Sequence, residues 1–149
     1  MTTATYKTDF YAWTQRQAGL LQNEDFAELD LPNLIEEIES MGISQRNEVT
    51  RRLIVLLMHL LKLRYQKRQH TNSWRRTIRT QRRDIEIVLE SSPSLRRLVP
   101  DLIAYAYPRA RKDAAAETNL PLTTFPQDCP WTVEQILDAD FPATDGWLS

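Results

Sequence analysis

The chain has 149 residues, of which 42% are hydrophobic and 26% charged, with 3 Gly, 8 Pro and a formal net charge of −1. That composition excludes a disordered or fibrous chain, and the length allows one domain to bury roughly 70% of the surface its unfolded form exposes with no disulfide or metal to hold it. Cys129 has no second cysteine to pair with, the stretch from Met1 to Phe10 is polar, and no run of about 18 residues is apolar, so the expectation is a reduced, cytoplasmic protein with no cleavable signal and no membrane span.

Few glycines, and apolar positions recurring at three and four residues, predict an all-helical fold. A first helix is expected from Asp9, its N-cap, to about Gln22, burying Phe10, Trp13, Leu20 and Leu21 with Gln17 side-on. After an acidic turn, Asp30 caps a second helix with Pro32 in its first turn. Its apolar stripe is Leu31, Leu34, Ile35, Ile38 and Met41, and Gly42 ends it. The third and longest helix runs from Ser44 to about Gln69. It is apolar almost all round between Leu53 and Leu63, as a central helix packed on several sides would be.

Asn72 or Ser73 opens a fourth helix to Glu90, with Trp74, Ile78, Ile85, Val88 and Leu89 facing inward. Ser94 caps a fifth that reaches about Asn119, where Pro100 and Pro108 each remove a backbone donor and are expected to bend or break it. Leu120 to Trp131 reads as an extended Pro-rich strap. Thr132 with Gln135 forms a capping box for a short last helix ending near Ala139, and a tail follows Phe141. The expected architecture is a single-domain, all-α bundle of about five main helices.

The matching stretches DFYAWT, DLPNLIEEIESMG, LLMHLLKLRYQ, SWRRTIRTQRRDI, SPSLR and FPQDCPWTVEQILDADF cover nearly the whole chain in order. In these the chain resembles the bacterial family known as domain of unknown function number 29. The resemblance implies an all-α, single-domain protein and brings no activity with it.

The near-zero net charge hides a segregation: the balance is −6 over residues 1–45, +11 over residues 46–83 and −6 over residues 84–149. A middle block this basic is either neutralised by its acidic neighbours in the fold or presents a positive face to a partner. Arg75, Arg79 and Arg82, at i, i+4 and i+7, make one ridge beside Trp74 and Ile78. Arginine's planar fork suits a carboxylate at a helix seam and suits phosphate equally. Glu37 and Glu39 flank the apolar stripe of the second helix, Glu36 points away, and no His stands at the spacing a bundle metal site uses. Glu37 and Glu39 are therefore expected in structural ion pairs with Arg75 and Arg82, with no metal and no cofactor. An exposed basic surface is expected from Lys62, Arg64, Lys67, Arg68, Arg76, Arg79 and Arg83. Tyr65 lies among these cations as a candidate stacking ring for single-stranded nucleic acid.

A catalytic alternative rests on histidine. Arg52 followed by six residues and His59, and Arg64 followed by five and His70, look like the arginine–histidine motif of the HEPN family of helical ribonucleases. That resemblance would make His59 the general acid or base and Arg52 the transition-state cation, with no metal. Leu53 and Tyr65 stand where the motif commonly has a polar residue. Cys129 lies between Asp128 and Pro130, which do not activate a thiol, and there is no phosphate-binding glycine loop, zinc spacing or nucleophile elbow. The expected role is thus binding or regulation through a basic helical face, with nucleic acid or an acidic protein as partner. The alternatives are the metal-independent ribonuclease and a protein-interaction scaffold with internally neutralised charge. Amphipathic helices and near-zero net charge also fit a homodimer.

Overall fold

A computed structural model of the chain describes residues 2–66 and 72–142. Within them lie the helices α1 (Thr2–Thr8), α2 (Phe10–Gln22), α3 (Leu31–Tyr65), α4 (Asn72–Ser91), α5 (Val99–Thr118) and α6 (Val133–Leu137). Short 3-10 turns stand at Phe26–Glu28, Pro93–Leu98 and Leu122–Thr124. The fold is all-α, as the periodicity predicts, with no strand among the described residues. The chain divides into two compact units, Met1–Ser44 and Gln45–Ser149, and α3 contributes to both.

In the first unit α2 starts where its cap predicts: the Asp9 side chain accepts a hydrogen bond from the Ala12 backbone N–H at 3.1 Å. The helix α1 before it is additional to the sequence expectation. Its Tyr6 sets its ring edge against Trp13, with centroids 4.7 Å apart, and Phe10 stacks on Trp13 at 5.6 Å. The Trp13 indole N–H donates to the Asp30 carboxylate at 2.9 Å and the Asn33 amide donates to the same oxygen at 2.7 Å. Bonds from Asn33, and then from Trp13, hold the Asp30 carboxyl below its ordinary range although burial opposes this. The Asp30 backbone N–H donates to the Gln17 side-chain oxygen at 2.9 Å, so the entry to α3 is tied to α2 by side chains rather than by apolar bulk. Phe10 and Leu21, expected inside, are about half exposed. A unit this small encloses Trp13, Gln17 and Asp30 and leaves its other described large apolar side chains partly exposed.

The two helices expected on either side of Gly42 are one, α3, of 35 residues. A glycine stop needs the left-handed backbone region, and no described glycine adopts it. A Cβ at Gly42 would meet nothing within 4 Å, so the glycine costs the helix only its entropy, about 1 kcal/mol relative to alanine. The burial pattern changes along α3. Its buried residues begin at Val49, and the stripe Leu31, Ile35, Ile38 and Met41, expected in the core, is exposed.

The second unit is built around the part of α3 from Val49 to Leu63, where Leu53, Leu56, Leu57, Leu60 and Leu61 are fully buried. The helix α4 adds Ile78, Ile85, Val88 and Leu89, and α5 approaches through Ala106, Ala110 and Ala114. Pro100 sits in the first turn of α5, where no donor is needed. Pro108 lies inside the helix on an exposed face beside exposed Ala104, whose carbonyl it deprives of a donor, and the helix continues past it instead of breaking. Asn119, at φ 57°, closes α5 in the left-handed region. The strap is clamped by α5: the Tyr107 hydroxyl donates to the Pro126 carbonyl at 2.6 Å and Arg111 Nε to the Phe125 carbonyl at 3.0 Å. The predicted capping box of α6 is present, with Thr132 and Gln135 exchanging both hydrogen bonds.

Candidate binding surface

Part of the central basic block is consumed inside the second unit. Arg52 reaches across from α3 to α4, with one terminal nitrogen 3.1 Å from Asp84 and the other 3.1 Å from Glu48 on its own helix. Lys62, expected on the exposed surface, is 7% exposed. Its stem continues the apolar face that ends at Leu63, and its ammonium is neutralised by Glu117 at 2.7 Å and lies 4.7 Å from the centre of the Trp74 ring.

Arg82 is not in an ion pair with a glutamate. Buried at 8% exposure, it donates from Nε to the Ile136 carbonyl at 2.7 Å and from a terminal nitrogen to the Gln135 carbonyl at 3.2 Å. Those carbonyls belong to the last turn of α6, which leaves them without an intrahelical partner, and a cation there also complements the helix dipole. Burial pulls the Arg82 pKa down to about 10, with Asp138 opposing, so the guanidinium stays charged at neutral pH. Glu37 instead accepts from the Tyr6 hydroxyl, and that bond pushes the Tyr6 pKa up to about 12. Glu39 is exposed and Arg75 half-buried, and neither is in an ion pair among the described residues.

Of the other cations of the block, Arg46 and Arg51 on α3 are exposed, and the rest of the outward charge lies along α4. Arg76 and Arg79 are exposed, and Arg83, also exposed, rests on its neighbour Asp84 at 3.1 Å. Arg64 lies over the Tyr65 ring at 5.5 Å, and Tyr65 in turn sets its ring against Phe125 at 5.8 Å. The half-buried Tyr65 ring thereby packs against the core. Lys67, Arg68 and His70 lie outside the described residues.

Two cavities open along this face. One of about 380 Å³ is walled by Arg75, Arg79, Leu63, Ile78, Asp140 and Phe141. The other, of about 450 Å³, is walled by Arg83, Ile87, Glu90 and Leu137, and Arg79, Arg82 and Ala139 are common to both. The apolar walls Ile87, Leu137 and Phe141 are the part that sequence reasoning missed. Ile87 carried a readable signal, standing one turn beyond Arg83 on the polar side of α4 and 56% exposed.

The two residues of the ribonuclease alternative, Arg52 and His59, both lie on α3. His59 Nδ1 lies 2.9 Å from the Val55 carbonyl, which can only accept, so Nδ1 carries the proton and Nε2 the lone pair. Arg52, two turns earlier, is held by Asp84 and Glu48, and no hydrogen bond joins it to His59 among the described residues. Burial lowers the His59 pKa below its ordinary 6.5, and Lys62 lowers it further, while the Val55 bond and Glu117 oppose. The unfolded chain therefore takes up a proton near 6.5 that the folded chain resists. Stability from neutral His59 is complete above that pH and is lost as pH falls below it. Thermal melts between about pH 8 and pH 5 are expected to show a steeper acid-side loss for the parent protein than for His59→Gln. Parallel curves would contradict the burial effect.

The Cys129 thiol is pushed up by burial, the opposite of an activated nucleophile. Among the described residues no group of three or more His, Cys, Asp or Glu side chains could share a metal ion, and no helix is long and apolar enough to cross a membrane. No curated protein and no solved structure matches the chain. The family described as Domain of unknown function DUF29 matches it over residues 5–142.

Proposed function

Because the chain belongs to the DUF29 family, whose description assigns no activity, its role is read from its own side chains, and we propose a binding module whose α4 face holds an acidic segment of a protein partner. The observation that carries this is the trio Arg75, Arg76 and Arg79. All three lie within about one turn of α4 and in no ion pair among the described residues, and Arg79 borders both cavities. Like charges so close repel each other until an anion sits between them, and a guanidinium takes a carboxylate in a two-pronged grip. The same geometry would take a phosphate. A protein is favoured because the arginines alternate with apolar walls at Ile78, Ile87, Leu137 and Phe141, and because Glu90 and Asp140 stand in those walls. Acidic side chains interleaved with apolar ones fit that pattern, whereas a continuous phosphate backbone would meet the two carboxylates. Cytoplasmic location is part of the same reading, on the unpaired Cys129.

The test is fluorescence anisotropy with a short labelled peptide of alternating Glu and Leu and, separately, a labelled single-stranded RNA, at low and moderate salt with a chelator present. The peptide is expected to bind with salt-sensitive affinity, and the double variant Arg75→Ala with Arg79→Ala to weaken it by roughly tenfold, the equivalent of one charge-assisted hydrogen bond. Peptide binding that ignores the double variant overturns the reading. RNA binding abolished by that variant would replace the protein partner by a nucleic acid. RNA cleavage in chelator would return the role to His59 and Arg52.

A further inference from the structure

The first unit carries a second surface, of opposite charge. Leu31, Ile35, Ile38 and Met41 of α3 are between 54% and 63% exposed, and no residue of α3 before Val49 is buried. At 3.6 residues per turn, Leu31, Ile35 and Ile38 fall within about 60° of helix surface, with Met41 on one flank and Glu39 on the other. Single exposed apolar side chains are ordinary. Four in register along one helix face form the kind of patch that marks an interaction site.

Its surroundings say what covers it. Between Arg16 and Arg46 the chain has seven carboxylates and no Lys or Arg. Asp30 is held by Trp13 and Asn33, and Glu37 by Tyr6. Glu24, Asp25, Glu28, Glu36 and Glu39 are exposed and in no ion pair among the described residues. An anionic lipid surface or another acidic face is repelled by such a rim, and pairing this face with its copy would oppose carboxylate to carboxylate with no cation in the stretch. A helix whose own apolar stripe is bordered by Lys or Arg is complementary in both respects, since its apolar ridge packs along the stripe and its cations meet the rim. We propose that the α3 face formed by Leu31, Ile35, Ile38 and Met41 is the docking site for a cationic amphipathic helix of another protein. This surface is independent of α4, so the chain would carry two partner sites of opposite sign.

The probe is a labelled Leu/Lys peptide with Leu at helical spacing, compared by anisotropy with a scrambled peptide of the same composition, both on the intact protein. The patterned peptide is expected to bind at least about tenfold more tightly than the scrambled one. Ile38→Ser, which leaves the net charge unchanged, and Glu36→Lys with Glu39→Lys are each expected to weaken it by about tenfold or more. These side chains are exposed, so the variants are expected to keep the parent circular dichroism and melting curve. Arg75→Ala with Arg79→Ala, which disables the α4 face, is expected to leave the affinity within about twofold, so the failure of one surface is distinguishable from the failure of the other. Equal affinity for the two peptides, or full binding by Ile38→Ser, overturns the proposal. So does a parent dimer in sedimentation that Ile38→Ser dissolves, which would make the occupant a second copy of the chain.

Discussion

Replacing Arg82 by Met is expected to destabilise the protein by about 2–4 kcal/mol and to lower its melting temperature by roughly 10 °C. The side chain is buried, and its two donors satisfy the Gln135 and Ile136 carbonyls at the end of α6. Methionine keeps the apolar stem and removes both donors. Two acceptors are then left in a place water reaches poorly, at about 1–3 kcal/mol each. Part of that loss is recovered, because burial already disfavours the charge, as the lowering of the Arg82 pKa to about 10 records. Lysine in the same place keeps the charge, but one ammonium on a shorter stem does not reproduce the fork, so Arg82→Lys is expected to fall between the two. Urea or thermal unfolding of the three proteins measures this. A Met variant as stable as the parent would mean that Ile136 packing alone holds α6. Arg82 also bears on binding: Leu137 and Ala139, just after the carbonyls it holds, line the cavities beside Arg79. Its role there is positioning, so its loss is expected to weaken the acidic peptide even though Arg75 and Arg79 remain.

Trp13→Ala is expected to be as damaging in the first unit, at about 3–5 kcal/mol. Trp13 is the centre of that unit's packing, 2% exposed, with Tyr6 and Phe10 against its ring and Asp30 on its indole nitrogen. Alanine removes the ring that both aromatics pack on and withdraws a donor from a buried carboxylate whose other partner is Asn33. Hydrogen exchange should show the loss as faster exchange in α1 and α2. Trp13→Phe, which keeps an aromatic body and removes only the N–H, is expected to be milder. Unchanged protection of α2 in the Ala variant would show that the Asp30 N–H bond to Gln17 and the Asn33 bond to the Asp30 carboxylate suffice to hold Asp30 and the entry to α3.

Local chemistry was the legible part of the fold. Asp9 as a cap and the capping box of α6 depend on side chains bonding to backbone a few residues away, the end of α5 depends on the left-handed backbone of Asn119, and these and the start of α4 at Asn72 are found where the sequence places them. Ser94, expected to cap α5, lies instead in the 3-10 turn Pro93–Leu98, and α5 starts at Val99 with no side-chain cap. Two other misreadings share a cause. Gly42 ends a helix only if the chain turns into the left-handed region there, and the stripe Leu31 to Met41 is core only if something covers it. Neither condition is written in the neighbouring residues.

The basic block divides the same way. Composition and spacing determined that residues 46–83 would carry the positive charge, that the fold would be helical, and that Arg75, Arg79 and Arg82 would share one ridge. Which of those cations stay available was decided by tertiary structure alone. Lys62 meets Glu117, 55 residues away, and Arg82 meets carbonyls 53 and 54 residues away. A helical period orders side chains around one axis, but a long cation's partner is chosen by whichever acceptor the packing of another helix brings within about 3 Å of it.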